Sequence, residues 1–381
     1  MKKIGICTVY TGFNYGSALQ AYATKTIIKE LGYEGNIFKI SGSIISGRDV
    51  RFKKLLLLGC NMLLHFNQIS KIASSYSNSE KKLSDKSKEN FFSFYKERIQ
   101  PVYVTEKILN KNAKLNEYIA FICGSDQVWN STTYYVDPFY YLRFAPCKKR
   151  IAFAPSFGRS FIPEYNYKKI KKYINDIPYL SVRESSGADL IYDLTGKEAI
   201  VLLDPTLVIE KKVWCKSFDL LEIQKKEKYT LAYFLDEPSQ KAKKMLYEFK
   251  RSGYKIIALP YVRDGNWFDE CADAGPIEFL NLLLNATVVC TDSFHGTAFS
   301  LNFEKIFYVF ERNYKSSANQ SSRIVSILEK VGLMNRFDTN HILEKPIDFT
   351  YTRDILAYER NRSRKYLVEI LNKMEGNENE F

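Results

Sequence analysis

The feature that leaves the fewest folds open is a repeated alternation of short apolar runs and segments with helical spacing, joined by polar loops. Residues 3–9 are an apolar run and 11–16 a polar turn. Over 17–31 the apolar residues Leu19, Ala23, Ile27, Ile28 and Leu31 recur with a helical period. Gly32 ends that helix, and 36–40 form the next strand. Strand, crossover helix and strand make a βαβ unit, which implies a parallel sheet with helices on its faces.

The pattern continues along the chain. Strand 118–123 runs into the loop GSDQVWN, and strand 150–154 runs into PSFG. Helices are predicted over 163–176 and 184–194, with strands at 179–182 and 199–203, the last ending in Asp204-Pro205-Thr206. The charged stretch 210–227 lacks a sheet period and marks a boundary. Beyond it, strands at 229–235, 254–259, 286–290 and 305–310 alternate with helices at 238–252, 276–285 and 296–302. Helices over 321–332 and 353–374 close the chain. A chain of 381 residues exceeds one comfortable core. The expectation is α/β, with two doubly wound domains and ligands at the carboxyl ends of the strands. Residues 1–220 form the N-terminal domain, 221–350 the C-terminal domain, and 351–381 a terminal helix and tail.

Charge is the unusual part of the composition: 56 basic and 43 acidic residues give +13. Residues 47–114 hold 14 basic and 6 acidic side chains, so +8 of that excess lies in one segment. This segment reads as a basic helical insertion, with Ser84 and Asp85 starting a helix that runs to Arg98. Inside it, the apolar stretch 55–64 is flanked by Arg51, Lys53 and Lys54. Segment 51–66 therefore suits either a helix closing the first domain or a peripheral membrane contact. Zinc-finger spacing, a helix–turn–helix and aromatic RNA-binding motifs are all missing, so nucleic acid is not an expected partner. Seven cysteines without CxxC spacing and three histidines suggest reduced thiols and no metal site. The N-terminus reads as a strand rather than a signal peptide, and no window is long and apolar enough to span a membrane. A cytoplasmic location is expected, with peripheral contact at the inner membrane face if 51–66 binds lipid.

Three loops at strand ends carry the candidate chemistry. Thr291-Asp292-Ser293-Phe294-His295-Gly296 lies between a strand and a helix, where free backbone N–H groups meet an anion and a histidine exchanges protons near neutrality. A helix-capping loop with His295 merely packed is the competing reading. Asn14-Tyr15-Gly16-Ser17 starts the first helix without the GxGxxG fingerprint of dinucleotide binding. Ser125, Asp126 and Gln127, followed by Trp129, crowd the end of a strand and suggest a binding role or a turn with a packed tryptophan. Arginines in loops (Arg159, Arg183, Arg312 and Arg323) match carboxylate and phosphate oxygens.

Taken in order, NYGSALQAY (14–22), FICGSDQVWN (121–130), RIAFAPSFG (150–158), SVRESSG (181–187), DPTLV (204–208) and GPIEFLNLLLNATVVCTDSFHGTAFSLNF (275–303) resemble the polysaccharide pyruvyl transferase family, with SSRI (321–324) extending the match. The resemblance implies a GT-B-like fold of two Rossmann-like domains facing across a cleft. It also implies transfer of the pyruvyl group of phosphoenolpyruvate onto two hydroxyls of a sugar, on a bacterial surface polysaccharide or its lipid-linked precursor. The products are a cyclic ketal and phosphate, and no cofactor beyond the donor is required. His295 matches the family's histidine, but Ser293 stands where some relatives carry arginine. On this reading His295 and Asp292 are catalytic, with Asp292 orienting the histidine. Arg323, Arg183, Arg312, Ser293, Gly296 and Thr297 bind the donor, and Asn14, Tyr15, Gly16, Ser125, Asp126 and Gln127 line the acceptor side. The alternative is a GT-B-like glycosyltransferase using a nucleotide sugar, with Glu278 on the ribose.

Overall fold

The computed structural model describes residues 1–40, 83–105, 116–131, 136–223, 227–259, 267–312, 321–343 and 345–378. Leu56, Gly59, Cys60 and Leu63 are described as single helical positions. The first domain opens with β1 (Lys3–Cys7), α1 (Tyr15–Glu30) and β2 (Glu34–Ile40), then α2 (Asp85–Phe94), β3 (Val102–Val104), β4 (Tyr118–Cys123) and β5 (Arg150–Ala152). These strands form one parallel sheet in the order β3-β2-β1-β4-β5. Because β1 leads to β2 on one side and β4 lies on its other side, the strand order reverses between β1 and β4. Helix α3 (Glu164–Asn175), β6 (Ser181–Val182), α4 (Ser185–Thr195), β7 (Ile200–Val201), α5 (Pro205–Val208) and α6 (Lys211–Phe218) follow. The β6-β7 pair continues the sheet through a parallel bridge from Ile151 to Tyr179.

The second domain repeats the plan with β8 (Tyr229–Tyr233), α7 (Gln240–Arg251), β9 (Lys255–Leu259), β10 (Glu270–Cys271), α8 (Pro276–Asn285), β11 (Val288–Thr291), α9 (Phe294–Asn302) and β12 (Ile306–Val309). Its parallel order, β10-β9-β8-β11-β12, reproduces that of the first sheet, with its reversal between β8 and β11. Helix α10 (Ser322–Lys330) and the long α11 (Thr350–Glu378) complete the chain. The expected α/β architecture of two Rossmann-like domains facing across a cleft is what the chain adopts.

Aromatic packing joins the halves. The Tyr15 ring stacks between Phe91 and Phe279, at centroid distances of 5.1 and 4.9 Å. Helix α6 lies in the first half of the stretch 210–227, which lacks a sheet period. Its Trp214 and Phe218 are buried and meet Tyr22, Phe94 and Phe299, so tertiary burial rather than amphipathic repetition sets this helix. Helix α11 returns from the second domain to the first: Arg353 pairs with Glu304, Arg360 donates to the Leu207 carbonyl, and the Tyr366 hydroxyl donates to the Ala152 carbonyl.

The basic segment 47–114 divides. Its later part belongs to the sheet architecture, since Ser84 caps α2 as expected, Phe91 and Phe94 enter the core, and β3 pairs with β2. Residues 106–114, and 51–66 apart from the four positions named, lie outside the described residues. Leu56 and Leu63 are exposed. No helix among the described residues is long and apolar enough to cross a membrane.

Candidate active site

The sheet reversals define where a ligand belongs, because loops leaving adjacent strands in opposite directions open a crevice at their carboxyl ends. One cavity of about 230 Å³ lies where the two crevices meet. Val9 and Asn14 reach it from the loop after β1, Ser17 from the first turn of α1, and Asp126 and Gln127 from the loop after β4. Leu235 follows β8, Ser293, Phe294 and His295 follow β11, and Arg323 enters from α10. Both topological switch points therefore contribute to one site.

A buried polar network from the first domain forms its floor. Asn14 caps α1 by accepting from the Ser17 N–H at 3.1 Å. The Ser17 hydroxyl donates to Asp126 Oδ2 at 2.5 Å. Arg183 donates through Nη1 to Asp204 Oδ2 at 2.5 Å and lies 3.6 Å from Asp126 Oδ1. Its guanidinium also covers the Phe294 ring at 4.2 Å. Ser125 donates to Asp204 Oδ2 at 2.9 Å, and Asp204 Oδ1 accepts from the Thr206 N–H at 3.0 Å. Gln20 braces the two switch loops together: its amide donates to the Val9 carbonyl and accepts from the Ser125 N–H. Burial opposes ionisation of Asp126, but His295, Arg183, the Ser17 hydroxyl and Arg323 outweigh it and hold the carboxyl below its usual range. Asp204 behaves alike: burial disfavours the anion, while Arg183, His295 and the Thr206 N–H keep it well below the ordinary carboxylate value.

His295 arrives from the second domain on the first turn of α9, behind the N-cap Ser293. The residue is buried, and its Nε2 has no hydrogen-bond partner among the described residues. Asp204 Oδ2 stands 3.7 Å from Nε2, too long for a hydrogen bond and close enough for a strong field. The other edge of the ring lies on Gly16. With the Gln127 amide in its bonding orientation, its oxygen accepts from both terminal nitrogens of Arg323, at 2.8 and 2.9 Å. Burial and the neighbouring Arg183 charge lower Arg323 to about 10, only partly offset by Glu184 and Asp126.

The predicted residues separate into three groups. Asn14, Asp126, Gln127, Ser293, His295 and Arg323 line the cavity, and Gly16 touches His295. Ser125, Arg183, Gly296 and Thr297 lie beneath it. Ser125 and Arg183 hold Asp204, the Gly296 N–H donates to the Ser293 hydroxyl, and the Thr297 hydroxyl donates to the Ser293 carbonyl.

Tyr15, Asp292 and Arg312 have other partners than the sequence suggested. Tyr15 is an aromatic core residue whose hydroxyl donates to the Ala274 carbonyl. Asp292, expected beside His295, instead accepts from the Leu235 N–H at 2.7 Å and from Arg312 Nε at 3.1 Å. Burial raises its carboxyl above the ordinary value despite these donors. Arg312 is thus the partner of Asp292. Glu278, suggested as a ribose ligand, accepts from the Gly275 N–H and caps α8. Trp129 is packed: its ring stacks on Tyr141 and its Nε1 donates to the Tyr140 carbonyl. Asp204 went unassigned as a site residue, although its place at the end of a predicted strand was the available signal.

The polysaccharide pyruvyl transferase family model matches residues 14–314, so the chain belongs to that family. No curated protein matches it. Among solved structures it is similar to a UDP-GlcNAc 2-epimerase of Methanocaldococcus jannaschii in complex with UDP-GlcNAc and UDP. That pair shares 11% identity over 98% of this chain and 100% of the other, with a TM-score of 0.46. The S. aureus MnaA–UDP co-structure is 10% identical over 97% and 91% of the two chains, with a TM-score of 0.44. E. coli heptosyltransferase WaaC with ADP is 8% identical over 95% and 99%, with a TM-score of 0.36.

Proposed function

We propose that, within the polysaccharide pyruvyl transferase family, this chain moves the pyruvyl group of phosphoenolpyruvate onto two hydroxyls of a sugar in a bacterial surface polysaccharide or its lipid-linked precursor. The observation that carries the reading is His295 Nε2: a buried nitrogen without a hydrogen-bond partner among the described residues, at a cavity that also presents Arg323. A proton carrier beside a cation suits a donor bearing a carboxylate and a phosphate.

A proton passes to the methylene carbon of phosphoenolpyruvate, and the adjacent carbon gains cationic character. A sugar hydroxyl attacks that carbon and gives up its proton. The carbon–oxygen bond to phosphate breaks, and a second hydroxyl closes the ketal with loss of its own proton. Two hydroxyl protons leave; one replaces that delivered to the methylene carbon, and the other accompanies phosphate. His295 is assigned the proton transfers at Nε2. Arg323, Ser293 and the first turn of α9 hold the anionic donor on the second-domain side. Asn14, Asp126 and Gln127 face the acceptor on the first-domain side. The work is assigned to the cytoplasm, at the inner membrane face if the acceptor is carried on lipid. No cofactor beyond the donor enters the proposal.

The test supplies phosphoenolpyruvate and acceptor and measures inorganic phosphate with and without acceptor. Acceptor-dependent phosphate release supports the assignment, and replacement of His295 by Gln should lower it by about 10²–10⁴-fold. Release of a nucleotide from a nucleotide sugar, with none of phosphate, favours the glycosyltransferase alternative.

A further inference from the structure

Asp204 is the most completely fixed carboxylate of the site. It is buried at the end of β7 and caps the short helix α5. Oδ1 is occupied by the Thr206 N–H at 3.0 Å and the Thr206 hydroxyl at 2.8 Å. Oδ2 is held by Arg183 at 2.5 Å and Ser125 at 2.9 Å. Thr206 and Arg183 hold one oxygen each, and the Ser125 hydroxyl divides its single proton between Oδ2 and the Ala154 carbonyl at 2.7 Å. His295 comes from the other domain, yet both edges of its ring meet first-domain groups: Gly16 at Nδ1 and Asp204 at Nε2.

We propose that Asp204 is the positioning residue for His295, an anion fixed in one domain that orients and polarises the imidazole presented by the other. The proposal rests on the assignment of His295 as proton carrier. The 3.7 Å separation is a working distance rather than a bond. Nε2 has no hydrogen-bond partner among the described residues, and the fixed charge faces it from the other domain. Asp126, Arg183 and Arg323 also lie in the charged environment of the site, but each has other engagements. Asp126 accepts from the Ser17 hydroxyl, Arg183 donates to Asp204 itself, and Arg323 donates to Gln127. Asp292, the carboxylate nearest in sequence, is turned to Leu235 and Arg312.

Asp204→Asn deletes the charge and keeps an N-cap acceptor for Thr206, but it also breaks the buried pair with Arg183, so its folding is checked before its kinetics. The expected result is a fall in kcat of about 10–100-fold with KM for phosphoenolpyruvate changed less than about threefold. A merely structural role instead gives parallel losses in both constants. Ser125→Ala, which removes one donor to Oδ2, should give a smaller fall in kcat in the same direction, and it serves if Asp204→Asn does not fold.

A second readout needs no substrate. The chain has three histidines, so the imidazole 15N signals of His295 are identified by their loss in His295→Gln. They should shift in Asp204→Asn or Ser125→Ala and stay in place in Arg312→Lys. Unmoved His295 signals in both site variants overturn the positioning role, whatever the reaction. Shifted signals in a protein that never releases phosphate from phosphoenolpyruvate leave the positioning intact and remove the pyruvyl assignment.

Discussion

Gly16 lies directly against the ring of His295: a Cβ built on Gly16 would fall 2.0 Å from Nδ1 and 2.2 Å from Cγ. The two residues belong to different domains, each on the first turn of the helix that follows a switch-point strand. The glycine is needed here for close approach, not for an unusual backbone angle.

That contact makes the effect of Gly16→Ala opposite to what helix propensity predicts. Alanine within a helix is ordinarily favoured over glycine by roughly 1 kcal/mol. Here the added methyl must displace His295, so the variant should be less stable than wild type and lose about 100-fold in turnover, as expected for a reacting group moved by about 1 Å. Combining it with His295→Ala should restore stability without restoring activity. A Gly16→Ala protein with raised stability and normal turnover contradicts the contact.

Arg183 and Arg323, both expected to bind the donor, should separate on mutation. Arg183 is enclosed by Asp204 and Asp126, and removing one partner of a buried ion pair costs about 3–5 kcal/mol. Arg183→Ala should therefore appear first in chemical denaturation. Arg323 lines the cavity, so Arg323→Ala should keep most of its stability and raise KM for phosphoenolpyruvate at least about tenfold, a loss of one charge-assisted contact. Equal stability losses in the two variants speak against the division.

The acid response of stability has a definite sign. The unfolded carboxyl of Asp126 titrates near about 3.9 and the folded one lower, because burial is outweighed by His295, Arg183, Ser17 and Arg323. Ionised Asp126 therefore favours the folded state above about pH 4, and this contribution is lost as pH falls through the folded value. The stability difference between wild type and Asp126→Asn, from urea unfolding, should shift against wild type as the pH falls below about 4. Asp292 has the opposite sign, since burial raises it. Relative to Asp292→Asn, wild type should be best at low pH and decline as pH rises through the raised value.

Much of this was legible in the sequence because strands and helices with a clear period need only local information. The run 118–123 is β4 and 276–285 is α8, residue for residue. The short edge strands β3 and β10 were not legible, having three and two residues and no period of their own. The candidate loops were found because they follow apolar runs. Which side chains meet across the cleft was not readable. Asp126, Arg183 and Asp204 are far apart in sequence and converge only because β4, β6 and β7 end at the same edge. For the same reason Asp292 looked like the partner of His295, three residues away, while the carboxylate beside Nε2 comes from the other domain. Tyr15 shows the converse: a polar-looking loop aromatic turned out to be interdomain core.

Pyruvyl transfer changes the mass of the acceptor. A panel of surface-polysaccharide fragments and lipid-linked glycans is incubated with the chain and phosphoenolpyruvate, then analysed by mass spectrometry alongside phosphate release. Pyruvyl transfer leaves a ketal-linked pyruvate on one acceptor, equimolar with phosphate and absent with His295→Gln. An unmodified panel, together with transfer of a sugar from a nucleotide donor by the same protein, contradicts it.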